Sequence, residues 1–215
     1  MCMTTANHPA LSPAAILAPV GTPTAADEVN HRVANHLQLI SALISAEART
    51  VSDPALLAVL ERTRQRIAAV GGIHRHLYAN SSSGEVDLGE YLDVLGMDLS
   101  LSCGNHRRIL IDAETLPVAS ATASSIGIQS TELVTNACKH AYAPGEPGDI
   151  LVSLRRTGAR RYRFTVEDHG RGLPGRSAGT GLGSRLIDAM VAQLGAVSAW
   201  EQARPGTRFR MDLRL

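Results

Sequence analysis

The spacing of apolar residues changes along the chain and separates a helical region from a mixed one. From Ala26 to Thr50 there is no Gly or Pro, and apolar residues recur every three or four positions, at Val29, Val33, Leu37, Ile40 and Ile44. This spacing places them on one side of an α-helix. Asp53 followed by Pro54 is typical of a helix start, and apolar spacing continues to about Ala79. Two long helices joined by a short turn predict an antiparallel hairpin.

A hairpin alone cannot bury both of its apolar sides. Packing against a second copy would produce a four-helix bundle, so the pattern predicts a homodimer. The alternative is a monomer in which the apolar side is covered within the chain. The polar stretch Asn80 to Gly84 indicates a domain boundary. We therefore expect a tail at residues 1–25, a helical hairpin at 26–80 and a second domain at 85–215.

The second region combines helical and alternating patterns. Asp87 with Glu90 forms a capping box for a helix that reaches about Leu101. Helical spacing also occupies residues 120–141 and 180–194, and alternation predicts strands at residues 108–113, 150–156, 162–167, 197–202 and 207–213. This order predicts helices on one face of a mixed sheet. The expected fold class is α+β, with the helical hairpin preceding an α/β sandwich.

Composition excludes several classes of protein and indicates a compartment. A net charge of +1 argues against a general nucleic-acid binder, and no run of about 18 apolar residues exists to span a membrane. Twenty of the 21 basic residues are Arg, and Lys139 is the single lysine. Cys2, Cys103 and Cys138 lack paired spacing, which predicts free thiols in a reducing interior. Because the first 25 residues lack the pattern of a secretory signal, we expect a cytoplasmic protein.

A polar stripe within the helix predicted at residues 120–141 suits a phosphate-bound metal. Glu132, Asn136 and His140 are spaced four residues apart on one side, and Lys139 lies beside them. An amide oxygen can ligate Mg²⁺, and an ammonium group can meet phosphate charge. A solvated helix side with ordinary polar pairs would produce the same pattern by itself.

Two glycine-containing segments provide further candidate binding residues. One predicted strand ends at Asp168 and is followed by Gly170 and Gly172, which would let the backbone approach a flat ligand closely while Asp168 accepts a hydrogen bond from an exocyclic amine. A second segment, Gly179 to Gly183, directly precedes an amphipathic helix, where free N–H groups can face an anion. It lacks the Gly-Lys-Ser/Thr ending of a Walker A loop. Each segment alone is equally consistent with a plain turn.

Together and in this order, the three segments resemble the N, G1 and G2 boxes of the GHKL ATPases, a superfamily that includes histidine kinases and gyrase-type topoisomerases. The resemblance implies a mixed sheet under three helices, with ATP and Mg²⁺ as cofactors. It implies that Asn136 holds Mg²⁺, with Glu132 and either Lys139 or His140 near the phosphates. It also implies that Asp168 binds the adenine amino group and that Gly170 and Gly172 shape the adenine pocket. Gly181 and Gly183 would hold phosphate, and Thr207 would lie below the adenine.

The first predicted helix decides which branch of the superfamily is closest. Its segment Glu28 to Ile40 resembles the H-box of the HisKA_2 group of sensor histidine kinases. This resemblance implies that His31, which lies off the apolar stripe, is the phosphoacceptor. Glu28 and Asn35, one turn to either side, are the candidates to orient it. His36 is a weaker candidate because the family usually has Asn at that position.

The resemblance implies a protein-histidine kinase of a two-component system. Such an enzyme would phosphorylate His31 from ATP and pass the group to an aspartate of a response-regulator receiver domain. Because we expect no room for a sensor domain, the signal would come from a separate sensor protein. Ala34 replaces the usual Lys, and the lid segment Leu173 to Thr180 is short. Both features favour an alternative, a histidine phosphotransfer adaptor with a vestigial ATPase-like domain, which the retained nucleotide residues oppose. The hairpin disfavours an anti-sigma serine kinase.

Overall fold

The computed structural model describes residues 25–80, 85–172 and 182–215. Two helices come first, α1 (Ala25–Ala48) and α2 (Pro54–Asn80). The remainder contains three helices and seven strands in the order β1 (Glu85–Asp87), α3 (Leu88–Cys103), β2 (Arg107–Ala113), β3 (Pro117–Ala119), α4 (Ser120–His140), β4 (Gly148–Gly158), β5 (Arg161–Asp168), α5 (Leu182–Gln193), β6 (Val197–Gln202) and β7 (Thr207–Arg214).

The first two helices pack against each other as the predicted hairpin. Helix α2 begins at Pro54, where Asp53 Oδ1 accepts a hydrogen bond from the Ala55 backbone N–H at 2.8 Å. Several apolar side chains of the hairpin remain exposed. We call this set the distal apolar surface, and it consists of Leu39, Leu43, Leu56 and Val59. No helix within the described ranges is long and apolar enough to cross a bilayer.

The main sheet is mixed, as predicted, and has the strand order β2-β4-β5-β7-β6. Strands β2 and β4 are parallel, and the other neighbouring pairs are antiparallel. A separate two-stranded ribbon pairs β1 with β3. The sequence did not predict this ribbon because three-residue strands are too short to show an alternating pattern.

Helices α3, α4 and α5 cover one face of the main sheet and enclose the core. Alternate residues of β5 and β7 are buried on this face. The opposite face carries cross-strand ion pairs, which include Arg108–Asp149, Arg155–Asp112, Arg163–Asp212, Arg208–Glu167 and Arg210–Glu201. Exposed pairs contribute little stability individually, but they keep this face solvated. The confirmed fold class is therefore α+β, with helices on one side of a mixed sheet.

The cysteines differ from the sequence-based prediction. Cys103 at the end of α3 and Cys138 in α4 form a disulfide, with their Cα atoms 5.7 Å apart. The prediction of free thiols was wrong for these two residues, which lie 35 positions apart. Only the packing of α3 beside α4 brings them together. The cysteine pattern therefore no longer supports a reducing compartment, and Cys2 lies outside the described residues.

Substitution of two leucines in the sheet tests which face of the sheet packs against the core. Leu154 on β4 is fully buried under the helices, whereas Leu110 on β2 is exposed on the other face. We expect Leu154→Ala to lower the free energy of unfolding by roughly 3 kcal/mol, because the substitution leaves a cavity. Leu110→Ala, the matched control, should cost less than about 1 kcal/mol. Chemical denaturation measures both, and equal losses would contradict the assignment of the two faces.

Candidate functional site

Helix α4 carries several candidate residues, and small side chains allow it to sit deep in the fold. A Cβ at Gly127 would collide with the Tyr91 side chain of α3, so the helices approach closely here. Buried Ser130 and Thr131 donate hydroxyl hydrogen bonds to the carbonyls one turn earlier, at 2.8 and 2.9 Å. These internal bonds satisfy polar groups that the core could not otherwise accept.

Exposure increases along the polar stripe of α4. The Glu132 side chain is only 2% exposed, Asn136 is half-buried, and Lys139 and His140 are exposed in the last turn. The stripe therefore begins inside the protein and ends at its surface. A cation at the C-terminal end also interacts favourably with the helix dipole.

The Glu132 carboxylate lies between helices α2 and α5. Arg66 of α2 binds it in bidentate geometry, with Nε 2.6 Å from Oε1 and Nη2 2.8 Å from Oε2. A Cβ at Gly183 would lie 2.9 Å from Glu132 Oε2 and 3.9 Å from Asn136 Nδ2. The start of α5 therefore packs directly against Glu132 and Asn136. Gly181, the other glycine of this segment, lies outside the described residues.

Asp168 ends strand β5 in a buried position, with 8% of the residue exposed. Its Oδ1 accepts hydrogen bonds from the backbone N–H groups of Gly170 at 3.0 Å and Thr207 at 3.3 Å. Thr207 is its partner across the β5–β7 ladder. Oδ2 accepts no hydrogen bond from the described residues and remains available to a ligand. Burial raises the pKa of Asp168, and the two backbone N–H donors oppose this rise.

Two glycines allow close backbone approach around Asp168. A Cβ at Gly170 would collide with the Ala141 carbonyl at the end of α4. Gly206 has a φ of +102°, and a Cβ there would collide with the Asp168 carbonyl. Both positions therefore exclude other residues. Gly172 is the last described residue of the loop after β5.

Sequence reasoning missed two residues that join α4 to the loop after β5. Arg171 donates from Nε to the His140 carbonyl at 2.7 Å and from Nη2 to the Tyr142 carbonyl at 3.1 Å. The Tyr142 hydroxyl accepts from the His169 backbone N–H at 3.0 Å and donates to the Asp149 carbonyl at 2.6 Å. Most of these partners are backbone groups, which no side-chain pattern reveals. The two bonded networks fix the Asp168 loop relative to the polar stripe.

The candidate phosphoacceptor, His31, belongs to helix α1. The backbone positions of Glu28 and His31 belong to this helix, but their side chains lie outside the described part of the structure. Asn35 and His36 are exposed. The pKa of Glu61 on α2 is lowered mainly by its hydrogen bond from Arg64, and the charge of Lys139 also contributes. The charge of Lys139 therefore reaches the hairpin from the last turn of α4.

The side chains present limit how a metal could be held. Within the described ranges, no group of three or more His, Cys, Asp or Glu side chains could bind a metal ion. Asn136 would provide one amide oxygen. Mg²⁺ commonly binds through few protein ligands together with substrate phosphates and water, so this arrangement fits a metal that arrives with a polyphosphate. The site thus combines a buried carboxylate, which could accept a hydrogen bond from a ligand, with a separate polar stripe.

Two family profiles match the chain. The HisKA_2 profile, described as histidine kinase, matches residues 28–103. The HATPase_c profile, described as a histidine kinase-, DNA gyrase B- and HSP90-like ATPase, matches residues 130–215. The first range includes His31, and the second includes Glu132, Asp168 and Thr207.

Several known proteins are similar in sequence or structure to most of this chain. Blue-light-activated histidine kinase 2 of Erythrobacter litoralis is 27% identical over 197 residues, which cover 87% of this chain and 56% of that protein. Sensor histidine kinase PdtaS of Mycobacterium tuberculosis is 32% identical over 152 residues, which cover 68% of this chain and 30% of that protein. A solved structure of the blue-light activated histidine kinase of Erythrobacter litoralis matches with a TM-score of 0.71 and 25% identity, covering 89% of this chain and 60% of that one. The chain thus spans little more than half the length of the first relative.

Asp168→Asn tests the amine acceptor without removing the loop contacts. The Asn carbonyl can still accept from Gly170 and Thr207, but its amide would present a donor to the adenine amino group. We expect ATP affinity to fall at least about tenfold, as measured by calorimetry. Asp93→Asn on exposed α3 is the matched control and should bind like wild type.

The same substitution should leave stability intact. Because the pKa of folded Asp168 is raised, ionisation costs the folded chain free energy at pH values above both the folded and unfolded pKa. That cost disappears as the pH falls below the unfolded value. We therefore expect Asp168→Asn to keep or raise the melting temperature at neutral pH and to lose this advantage in acid. A lower melting temperature at neutral pH would mean that the carboxylate is structural.

Proposed function

The chain belongs to the histidine kinases that combine a HisKA_2 region with a GHKL-type ATPase region, and from this membership we propose that it is an ATP-dependent protein-histidine kinase. The observation that carries the proposal is Asp168, a buried carboxylate with one oxygen available and glycines around it. A pocket of this kind selects adenine, whose exocyclic amine can donate, over guanine, which presents a carbonyl at the same ring position.

We assign residues 26–80 to dimerisation and histidine phosphotransfer, and residues 85–215 to nucleotide binding and catalysis. Asp168, Gly170, Gly172 and Thr207 would receive the adenine. Asn136, Lys139, His140, Gly181 and Gly183 would serve the phosphates, with Asn136 also holding Mg²⁺. The metal would neutralise phosphate charge when bound. Glu132 lies beside Asn136 and Gly183, which supports a role for it near the phosphates once its carboxylate is released from Arg66.

The proposed transfer uses the His31 imidazole as the nucleophile. The unprotonated ring nitrogen attacks the γ-phosphorus, the bond from that phosphorus to the bridging oxygen breaks, ADP leaves, and the proton on the other ring nitrogen passes to solvent. Arg32 directly follows His31 and cannot accept a proton, so Glu28 and Asn35 are the local groups that orient the ring. Catalysis would then consist mainly of positioning and charge neutralisation.

We further propose that phosphorylated His31 passes its group to an aspartate on a response-regulator receiver domain, in response to a separate sensor protein. The proposal places the chain in the cytoplasm, where ATP is abundant. In that compartment a disulfide between Cys103 and Cys138 would form only transiently. A histidine phosphotransfer adaptor is the second candidate, and it has no use for the buried amine acceptor at Asp168.

Autophosphorylation with γ-labelled ATP and Mg²⁺ tests the kinase. Wild type should acquire acid-labile label because phosphohistidine hydrolyses in acid, and His31→Ala and Asn136→Ala should both lose it. His36→Ala, five residues further along the same helix, is the matched control and should retain it. If wild type neither acquires label nor binds ATP, the kinase proposal is refuted and the phosphotransfer adaptor is the remaining candidate. Label that persists in His31→Ala would show that the acceptor is another residue.

A substitution in the distal apolar surface tests the proposed homodimer. Leu39 and Leu43 of α1 and Leu56 and Val59 of α2 are exposed, and a second copy could bury them in a four-helix bundle. We expect wild type to be a dimer by light scattering and Leu43→Glu to be a monomer, because a buried unpaired charge is costly. Met97→Glu, at an exposed apolar residue of α3, should remain dimeric. A monomeric wild type at micromolar concentration would refute the dimer.

A further inference from the structure

Helix α2 of the hairpin packs directly on α4, and we call this contact the α2–α4 seam. Its principal charged contact is the pair of Arg66 and Glu132, which are separated by 66 positions in the chain. The two side chains are 17% and 2% exposed. A charge pair as buried as this is far less screened than one on the surface. The seam therefore couples the hairpin to the polar stripe by one strong, well-oriented contact.

The seam covers the same side of α4 that carries the candidate phosphate residues. Arg66 contacts Glu132 at one end of the stripe, and the charge of Lys139 acts on Glu61 at the other. Helix α2 thus runs along the stripe in the opposite direction. His31 lies about five residues further from the hairpin loop than Arg66 does, which is about 7 Å along the helices. The seam is therefore close to the level of the proposed phosphoacceptor.

Glu132 has no free side in this arrangement. Each carboxylate oxygen accepts a hydrogen bond from the Arg66 guanidinium, and Gly183 lies against Oε2. A carboxylate held in this way is directed toward α2 and cannot turn toward a phosphoryl group.

The seam is packed incompletely. Arg62 Nε and Gln65 Oε1 of α2 are buried and have no hydrogen-bond partner within the described structure. An open cleft of about 250 Å³ lies between α2, α3 and α4, and Gln65, Ala68, Leu95 and Thr131 are among the residues that line it. Native proteins rarely leave buried polar atoms unpaired. These are the features of a contact that can separate.

We propose that Arg66 is a positioning residue that withdraws Glu132 from the nucleotide site while α2 is docked on α4, so that the kinase is restrained until the pair opens. The kinetic consequence rests on the proposed function, but the restraint itself is a property of the two side chains. Signal input would then act by separating α2 from α4. Arg66 would thereby control catalysis without contacting ATP.

The kinetic test compares autophosphorylation rates of the full chain. Arg66→Ala should be labelled roughly fivefold faster or more, the lower end of ordinary coupling between sites, with the KM for ATP little changed. Arg64→Ala is the matched control, because Arg64 pairs with Glu61 on the same helix and should leave the rate unchanged. Arg66→Ala combined with Glu132→Gln should show no acceleration, since the effect must act through Glu132. An unchanged or slower Arg66→Ala enzyme would overturn the restraint.

Hydrogen–deuterium exchange tests the same contact without activity. Arg66→Ala should increase backbone exchange in the middle of α2 and around Glu132 in α4, whereas Arg64→Ala should not. Unchanged exchange around Glu132 would refute the proposal, even if wild type is never labelled by ATP. If wild type is not labelled by ATP but exchange rises in Arg66→Ala as expected, the kinase proposal fails, while the proposed restraint of Glu132 by Arg66 is supported. The two failures are therefore distinguishable.

Discussion

A carboxylate cannot be buried without a partner, and the burial of Glu132 therefore links the two parts of this protein. Glu132 lies on the helix that enters deepest into the fold, where an unpaired charge would be strongly unfavourable. Its partner, Arg66, comes from the helical hairpin. The polar stripe of α4 can therefore be buried at this depth only while the hairpin is docked against it. Removing either side chain leaves the other as an uncompensated charge.

The opposite end of the site depends on backbone geometry more than on charge. Asp168 is held by two N–H donors from neighbouring segments, and it lies where strands β5 and β7 pair. Arg171 and Tyr142 connect its loop to the end of α4 through backbone groups. A loop held by contacts within the protein loses less conformational entropy when it binds a ligand. The amine acceptor and the polar stripe thus share one rigid frame.

The arginines and the single lysine occupy different parts of the structure. Many of the arginines form cross-strand pairs with carboxylates on the open face of the sheet, where a planar guanidinium suits the carboxylate. Lys139 differs, since it is exposed at the end of the α4 stripe and acts on Glu61 of the hairpin. The single lysine therefore lies at the junction of the proposed phosphate site and the α2–α4 seam.

Local patterns determined much of this protein. Periodicity predicted the helices and the main strands, and Asp53 and Asp87 marked helix starts that the structure bears out with side-chain caps. The order of the polar segments also indicated a nucleotide site, because each of them is a short-range motif. Tertiary structure alone decided the Cys103–Cys138 disulfide, the Arg66–Glu132 pair and the capping of α4 by Arg171. These contacts join residues some 30 to 70 positions apart, and they depend on how helices pack, which one sequence's periodicity does not encode.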